Sequence, residues 1–200
     1  MFEILKLLKE LLIFVLFIIV CFIIYNKFFR YIYYYIVPSH TNPEFENETE
    51  NILKTSNINK THKILRVYNR NSADIVIELR SRSSLDDEHS EKEYYPGTKK
   101  QIRFSFTWQH PKPYIAIDDH NWTFGVPESN LSVADYRKYV IRHEFMHALG
   151  YDHIPCNTKT AKNGVCPVLY QATRGPPSGF IAGTDVSNED YSNKIKGSYF

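Results

Sequence analysis

Residues 143–153 read His143-Glu144-Phe145-Met146-His147-Ala148-Leu149-Gly150-Tyr151-Asp152-His153. At about 100° per residue, His143 and His147 lie about 40° apart on a helix surface, one turn above the other. Both imidazoles can reach one zinc ion, which takes such nitrogen ligands. Glu144 projects about 60° from His147, where it meets a water on the metal rather than the metal itself. Gly150 turns the chain without a Cβ penalty, so that His153 swings back as a third ligand. Three protein ligands leave a fourth position open, the arrangement of a catalytic zinc rather than a structural one. The pattern H-E-x-x-H arises by chance about 0.02 times in a chain of this composition, and the added glycine and histidine lower that to roughly 3 in 100,000.

Working outward, Ser132 starts the helix that carries this motif, with Asp135 three residues on as a relative of the capping box. Gly150 ends it. Upstream, residues 64–68, 73–79, 101–107 and Tyr114–Asp118 are β-branched, aromatic or alternating, and are expected as strands. Residues 82–100 are charged and carry Pro96-Gly97, so a solvated loop is expected, with calcium binding at Asp86-Asp87-Glu88 the alternative. Gly- and Pro-rich loops follow the helix, then a short helical candidate near Ser187. The globular domain is expected over 63–200.

The N-terminal part differs. Leu11 to Tyr25 is an unbroken apolar run, LLIFVLFIIVCFIIY, bracketed by charges. With Leu7-Leu8 and Phe28-Phe29 it approaches the length of a spanning helix, about 20 residues. Tyr31-Ile32-Tyr33-Tyr34-Tyr35 reads as an interfacial aromatic belt. Residues 1–37 are thus expected as a transmembrane signal anchor. A cleaved signal peptide is the main rival, but no A-x-A-like site is in reach; a buried core helix is the other. Residues 38–62, rich in Asn, Glu and Pro, are expected as a polar stalk, with a short helix near 48–54.

The chain has 200 residues, a net charge of +2, 43% hydrophobic residues and three cysteines. Near-neutral charge excludes an electrostatic footprint for nucleic acid. The apolar content excludes charge-driven disorder. Three cysteines make neither a disulfide scaffold nor a four-thiolate zinc site. Cys156 and Cys166 flank the segment after His153, and a disulfide there would rigidify the loop beside the metal; two free thiols or extra metal ligands are the alternatives.

H-E-x-x-H-x-x-G-x-x-H resembles the signature of the metzincin metallopeptidases, the clan of the matrixins, astacins and reprolysins. The resemblance implies an α+β catalytic domain with a twisted mixed sheet, an active-site helix and a loop-rich C-terminal part. It implies Zn²⁺ held by His143, His147 and His153, with Glu144 as general base. A turn with methionine should lie beneath the metal; in Cys166-Pro167-Val168-Leu169-Tyr170-Gln171 this chain has Leu169 there, similar in volume and apolarity. Tyr170 is expected to pack, with support of the tetrahedral intermediate as the alternative. The resemblance further implies that substrate lies antiparallel to an edge strand, expected at Tyr114–Asp118.

The expected function is a membrane-anchored zinc endopeptidase acting on protein or peptide substrates, with its catalytic domain extracytoplasmic. The alternative is a zinc-containing, catalytically silent surface or adhesion protein with the same anchor. Glu144 discriminates, because a silent protein needs no base beside its zinc. Sequons at Asn47, Asn59, Asn121 and Asn130 support export weakly. His40, His62, His89, His110 and His120 show no ligand spacing and are expected at the surface.

Overall fold

The computed structural model describes residues 2–88, 93–95, 97–99, 101–109, 111–196, 198 and 200. In chain order the elements are helix α1 (Phe2–Phe29), strand β1 (Tyr31–Ile36), helix α2 (Phe45–Lys54), β2 (Lys63–Arg66), β3 (Ile75–Arg80), α3 (Arg82–Glu88), β4 (Glu93–Tyr94), β5 (Gln101–Ile102), β6 (Phe106–Trp108), β7 (Tyr114–Asp118), α4 (Asp119–Phe124) and α5 (Val133–Ala148). Five strands form one sheet in the order β2-β1-β3-β7-β6, while β4 and β5 form a separate hairpin. Strands β2, β1, β3 and β7 run parallel to one another, and only β6 runs antiparallel, at the edge beside β7.

The fold is therefore mixed α/β, and the α+β expectation is corrected. The reason lies in the connections. Parallel neighbours need long crossovers, and here residues 37–62, with α2, join β1 to β2. Residues 81–113, with α3, β4, β5 and β6, lie between β3 and β7. The expected strand at 101–107 is split into β5 and β6. The expected loop at 82–100 contains α3, whose Asp86 pairs with Arg103 instead of offering a cation site.

The N-terminal expectations change most. Tyr31–Tyr35, expected as an aromatic belt, lies in β1, paired on both sides by β2 and β3. Its alternate residues Ile32, Tyr34 and Ile36 are buried. The expected stalk holds α2 and a short 3₁₀ turn, Asn57–Lys60. Phe45, Ile52, Leu53 and Ile58 from this segment join the core. Arg66 of β2 pairs with Glu46 and Glu50 of α2, tying the charged face of that helix to the sheet.

Helix α1 forms, but Leu11 to Val20 lie exposed, outside the core. Among the described residues no helix is long and apolar enough to cross a membrane. That finding overturns the expected N-terminal transmembrane anchor and the single-pass location. The physical reason is length: the unbroken run from Leu11 to Tyr25 falls below the roughly 17–25 residues a span requires, and Lys9 and Glu10 bound it.

One sheet face carries the core. Register sets Tyr34 beside Ile75, Ile36 beside Ile77, Ile77 beside Ile115 and Leu79 beside Ile117. Helix α5 lies on this face, where Phe145 meets the Tyr34 ring edge-on at 5.9 Å. Phe45 of α2 packs edge-on against Trp122 of α4 at 4.9 Å, closing the core from the other end. Burying such rings removes about 150–250 Å² each from water, the main driving force here.

Candidate metal centre

Helix α5 begins as its sequence predicts. Ser132 Oγ accepts the backbone N–H of Asp135 at 3.1 Å, and Asp135 complements the positive helix end. It stops where Gly150 takes φ 88° and donates its N–H to His147 O at 2.8 Å. A Cβ at that position would meet the Ser198 side chain at 2.2 Å, so glycine is required by both conformation and space. The turn brings His153 back toward the helix.

The three histidines converge. The Nε2 atoms of His143 and His147 lie 3.0 Å apart, and those of His147 and His153 3.2 Å apart. The Nδ1 atom of His143 faces Val168 O at 2.7 Å, and that of His147 faces Tyr151 O at 2.7 Å. A carbonyl can only accept, so each Nδ1 carries the proton and each Nε2 presents its lone pair inward. His143, His147 and His153 could together hold one metal ion.

Burial and the neighbouring imidazoles push His143 well below the usual histidine range. Burial and then His153 push His147 down to about 4. Burial also lowers His153, which is more exposed than the other two. All three are therefore neutral near pH 7, the form in which imidazole ligates.

A second layer holds this cluster. The turn Cys166–Tyr170 supplies Val168 O to His143, while Leu169 O accepts the Ile154 N–H at 3.1 Å, just after His153. Leu169, expected as an apolar residue beneath the metal, is fully buried. The Leu169 N–H donates to Asp190 Oδ1 at 2.8 Å, and Asp190 also accepts from Ser187 N and Oγ at 2.8 Å each. Asp190 is fully buried and was not singled out by sequence reasoning. The Ser187-x-x-Asp190 spacing, a side-chain-to-backbone turn pattern, was the signal available. Cys156 and Cys166 are disulfide-bonded, with Cα atoms 5.1 Å apart, joining the segment after His153 to the floor turn.

Glu144 lies 5% exposed beside the triad. Thr107 of edge strand β6 reaches its carboxylate at 2.7 Å and its backbone carbonyl at 3.0 Å. Burial pushes the Glu144 carboxyl up to about 7, with the Thr107 hydroxyl pulling the other way. Gln109 donates to His147 O from the same strand end. The histidines, Glu144, Thr107, Gln109 and Arg174 line one cleft of about 420 Å³. Among the described residues the triad is the one metal-competent group of this kind.

Several expectations fall elsewhere. The edge strands of the five-stranded sheet are β2 and β6, so Tyr114–Asp118, expected at the edge, lies inside it between β3 and β6. Tyr170 donates its hydroxyl to Gly175 O at 2.7 Å and packs against the core. Asn121 is buried and bonded to Arg82 and Arg103 O, which leaves no room for a glycan at that sequon. His40 and His120 are exposed, but His62 is half-buried and stacks on Tyr191 at 5.9 Å. His89 and His110 lie outside the described residues.

A family model described as "Protein of unknown function (DUF3152)" matches residues 46–189. That stretch includes all of α2 but its first residue, the whole of α5 and the three histidines, and it ends one residue before Asp190. None of the curated proteins matches the chain.

Proposed function

We propose that this chain, which belongs to the DUF3152 family of proteins of unknown function, is a zinc-dependent endopeptidase of metzincin type. The observation that carries the reading is the place of Glu144: a buried carboxylate, held by Thr107, facing the same cleft as three converging imidazoles. A site built only to bind metal gains nothing from burying an extra carboxylate beside it, because burial opposes its charge.

The donor set fits zinc. Two nitrogens each 2.0–2.1 Å from a tetrahedral ion stand roughly 3.3–3.4 Å apart, and the two Nε2 separations are 3.0 and 3.2 Å. Nitrogen-only ligation by imidazole suits zinc better than magnesium or calcium, which take oxygen. His143, His147 and His153 would hold the ion. Bound zinc supplies Lewis acidity, which lowers the pKa of a coordinated water toward about 7.

The residues of the chain do the rest. Glu144 takes the proton of the attacking water and delivers it to the leaving amine, the two transfers that peptide hydrolysis needs. Thr107 fixes the carboxylate orientation, and Val168 O and Tyr151 O fix the imidazole tautomers. Strand β6, an edge strand of the sheet among the described residues, lines the cleft, where an extended peptide would pair antiparallel by backbone hydrogen bonds.

The test uses the full chain with a diverse peptide library. Chelation should abolish cleavage and one equivalent of zinc should restore it. Cleavage that survives chelation, with zinc absent by metal analysis, would overturn the reading.

A further inference from the structure

The cleft at the histidines is smaller than a second cavity on the other side of the sheet. That groove has a volume of about 540 Å³. Its floor is a row across three strands: register sets Val76 of β3 beside Tyr114 of β7, and Tyr114 beside Trp108 of β6. The Trp108 and Tyr114 rings lie 5.6 Å apart. Pro111 and Pro113 from the β6–β7 connection form one wall, and Arg70 stands on the other, from the turn between β2 and β3.

Two features give the groove a preference. Its surface is aromatic and proline-rich, which suits apolar side chains and rings. Its two charged members, Arg70 and Lys112, are both cations, and neither enters an ion pair among the described residues. The carboxylates of β3 and its approach already have partners. Asp74 accepts the Tyr33 N–H at 2.9 Å and faces Arg30, and Glu78 accepts the Tyr114 hydroxyl. A ligand with carboxylates set among apolar groups therefore complements the groove in charge and in surface.

Strand β6 connects the two cavities. Thr107 points to Glu144, so by strand alternation its neighbour Trp108 points to the opposite face, where it lines the groove. A peptide paired antiparallel to β6 sends its N-terminal half toward the Trp108 end. On the peptidase reading above, we propose that this groove is a substrate subsite. It binds an acidic, apolar-rich segment roughly two to five residues N-terminal to the bond cut.

The test separates binding from cleavage by using full-chain, zinc-loaded Glu144→Ala protein. Fluorescein-labelled peptides of sequence (Glu-Phe-Ser)₃ and (Lys-Phe-Ser)₃ serve as probes, read by fluorescence anisotropy. The acidic peptide should bind at least about tenfold tighter. Adding Arg70→Glu and Lys112→Glu should remove that preference, and adding Trp108→Ala should weaken both peptides. If the charge reversal lowers the melting temperature, Arg70→Gln with Lys112→Gln replaces it, with the same loss expected.

Equal affinity for the two peptides overturns the proposal, as does an acidic preference that survives the charge variants. If the preference depends on Arg70 and Lys112 while the wild type cleaves no library peptide, the groove stands as an acidic-peptide site and the peptidase reading alone fails. If the wild type cleaves the library without acidic preference, the groove alone fails.

Discussion

The two faces of edge strand β6 serve different environments. On one, Thr107 touches Glu144 and Gln109 touches His147 O, within a polar cleft where burial displaces Glu144 and His147 from their ordinary values. On the other, Trp108 borders an aromatic groove whose two cations, Arg70 and Lys112, enter no ion pair among the described residues. The contrast arises from the two-residue period of a strand. One short element thereby gives reactivity to one side of the sheet and surface complementarity to the other. Variants on the two faces should fail in different ways.

The largest effect is expected on the polar face. His147→Ala removes one of three ligands, so zinc affinity should fall by more than about 100-fold, beyond what loss of a ligand's supporting partner costs. Competition with a chromophoric chelator measures it. Binding of the acidic peptide at the groove should persist in a protein that still melts cooperatively; its loss would show that the two faces are one unit. Next is the support of the floor. Replacing Cys156 and Cys166 by serine opens a short loop and should lower stability by about 2–3 kcal/mol, read by denaturant unfolding. Unchanged stability would mean that the floor turn is held by the Asp190 bonds alone.

A finer test is Thr107→Val, which keeps the shape of the side chain and removes the hydroxyl from Glu144. A hydrogen bond to a charged group is worth about 1.5–3 kcal/mol, so kcat should fall by roughly tenfold or more. KM and zinc content should stay near the parent values. A change in KM with kcat intact would place Thr107 on the recognition side instead.

The last effect concerns pH. The His147 pKa is about 4 when folded and about 6.5 when unfolded, so between these values the unfolded chain binds more protons. Glu144, raised to about 7 by burial, contributes with the opposite sign over the same window, so the test uses metal-free Glu144→Gln protein, which should lose stability as pH falls from about 6.5 toward about 4. Thermal melting across that range checks it, and a flat profile would contradict the burial of the triad.

The sequence exposed the polar face more fully than the aromatic one. Eleven consecutive residues contain all three histidines, Glu144 and the glycine that turns the chain, so local helix geometry sufficed. The Ser132 cap and Tyr114–Asp118 were legible for the same reason: each is a local pattern. What was hidden depends on distant partners. Tyr31–Ile36 follows directly on an apolar run and reads as its continuation; it becomes a central strand only because β2 and β3 flank it. In α2 the buried residues Phe45, Thr49, Ile52 and Leu53 do keep a helical spacing, but a composition rich in Asn and Glu obscured it. The edge position of β6 is a property of strand order, which no local pattern encodes. Asp190 is far from the motif in sequence and meets Leu169 only through the loop closure.

The central claim is that Glu144 is the base of a zinc-dependent hydrolysis. The most direct measurement compares full-chain wild type with Glu144→Ala, recording zinc content and cleavage of a denatured protein in the same samples. The account predicts about one zinc per chain in both, with cleavage falling by roughly 10²–10⁴-fold in the variant. A wild type that holds zinc yet cleaves no member of a diverse peptide library, or a variant that cleaves as well as its parent, would contradict it.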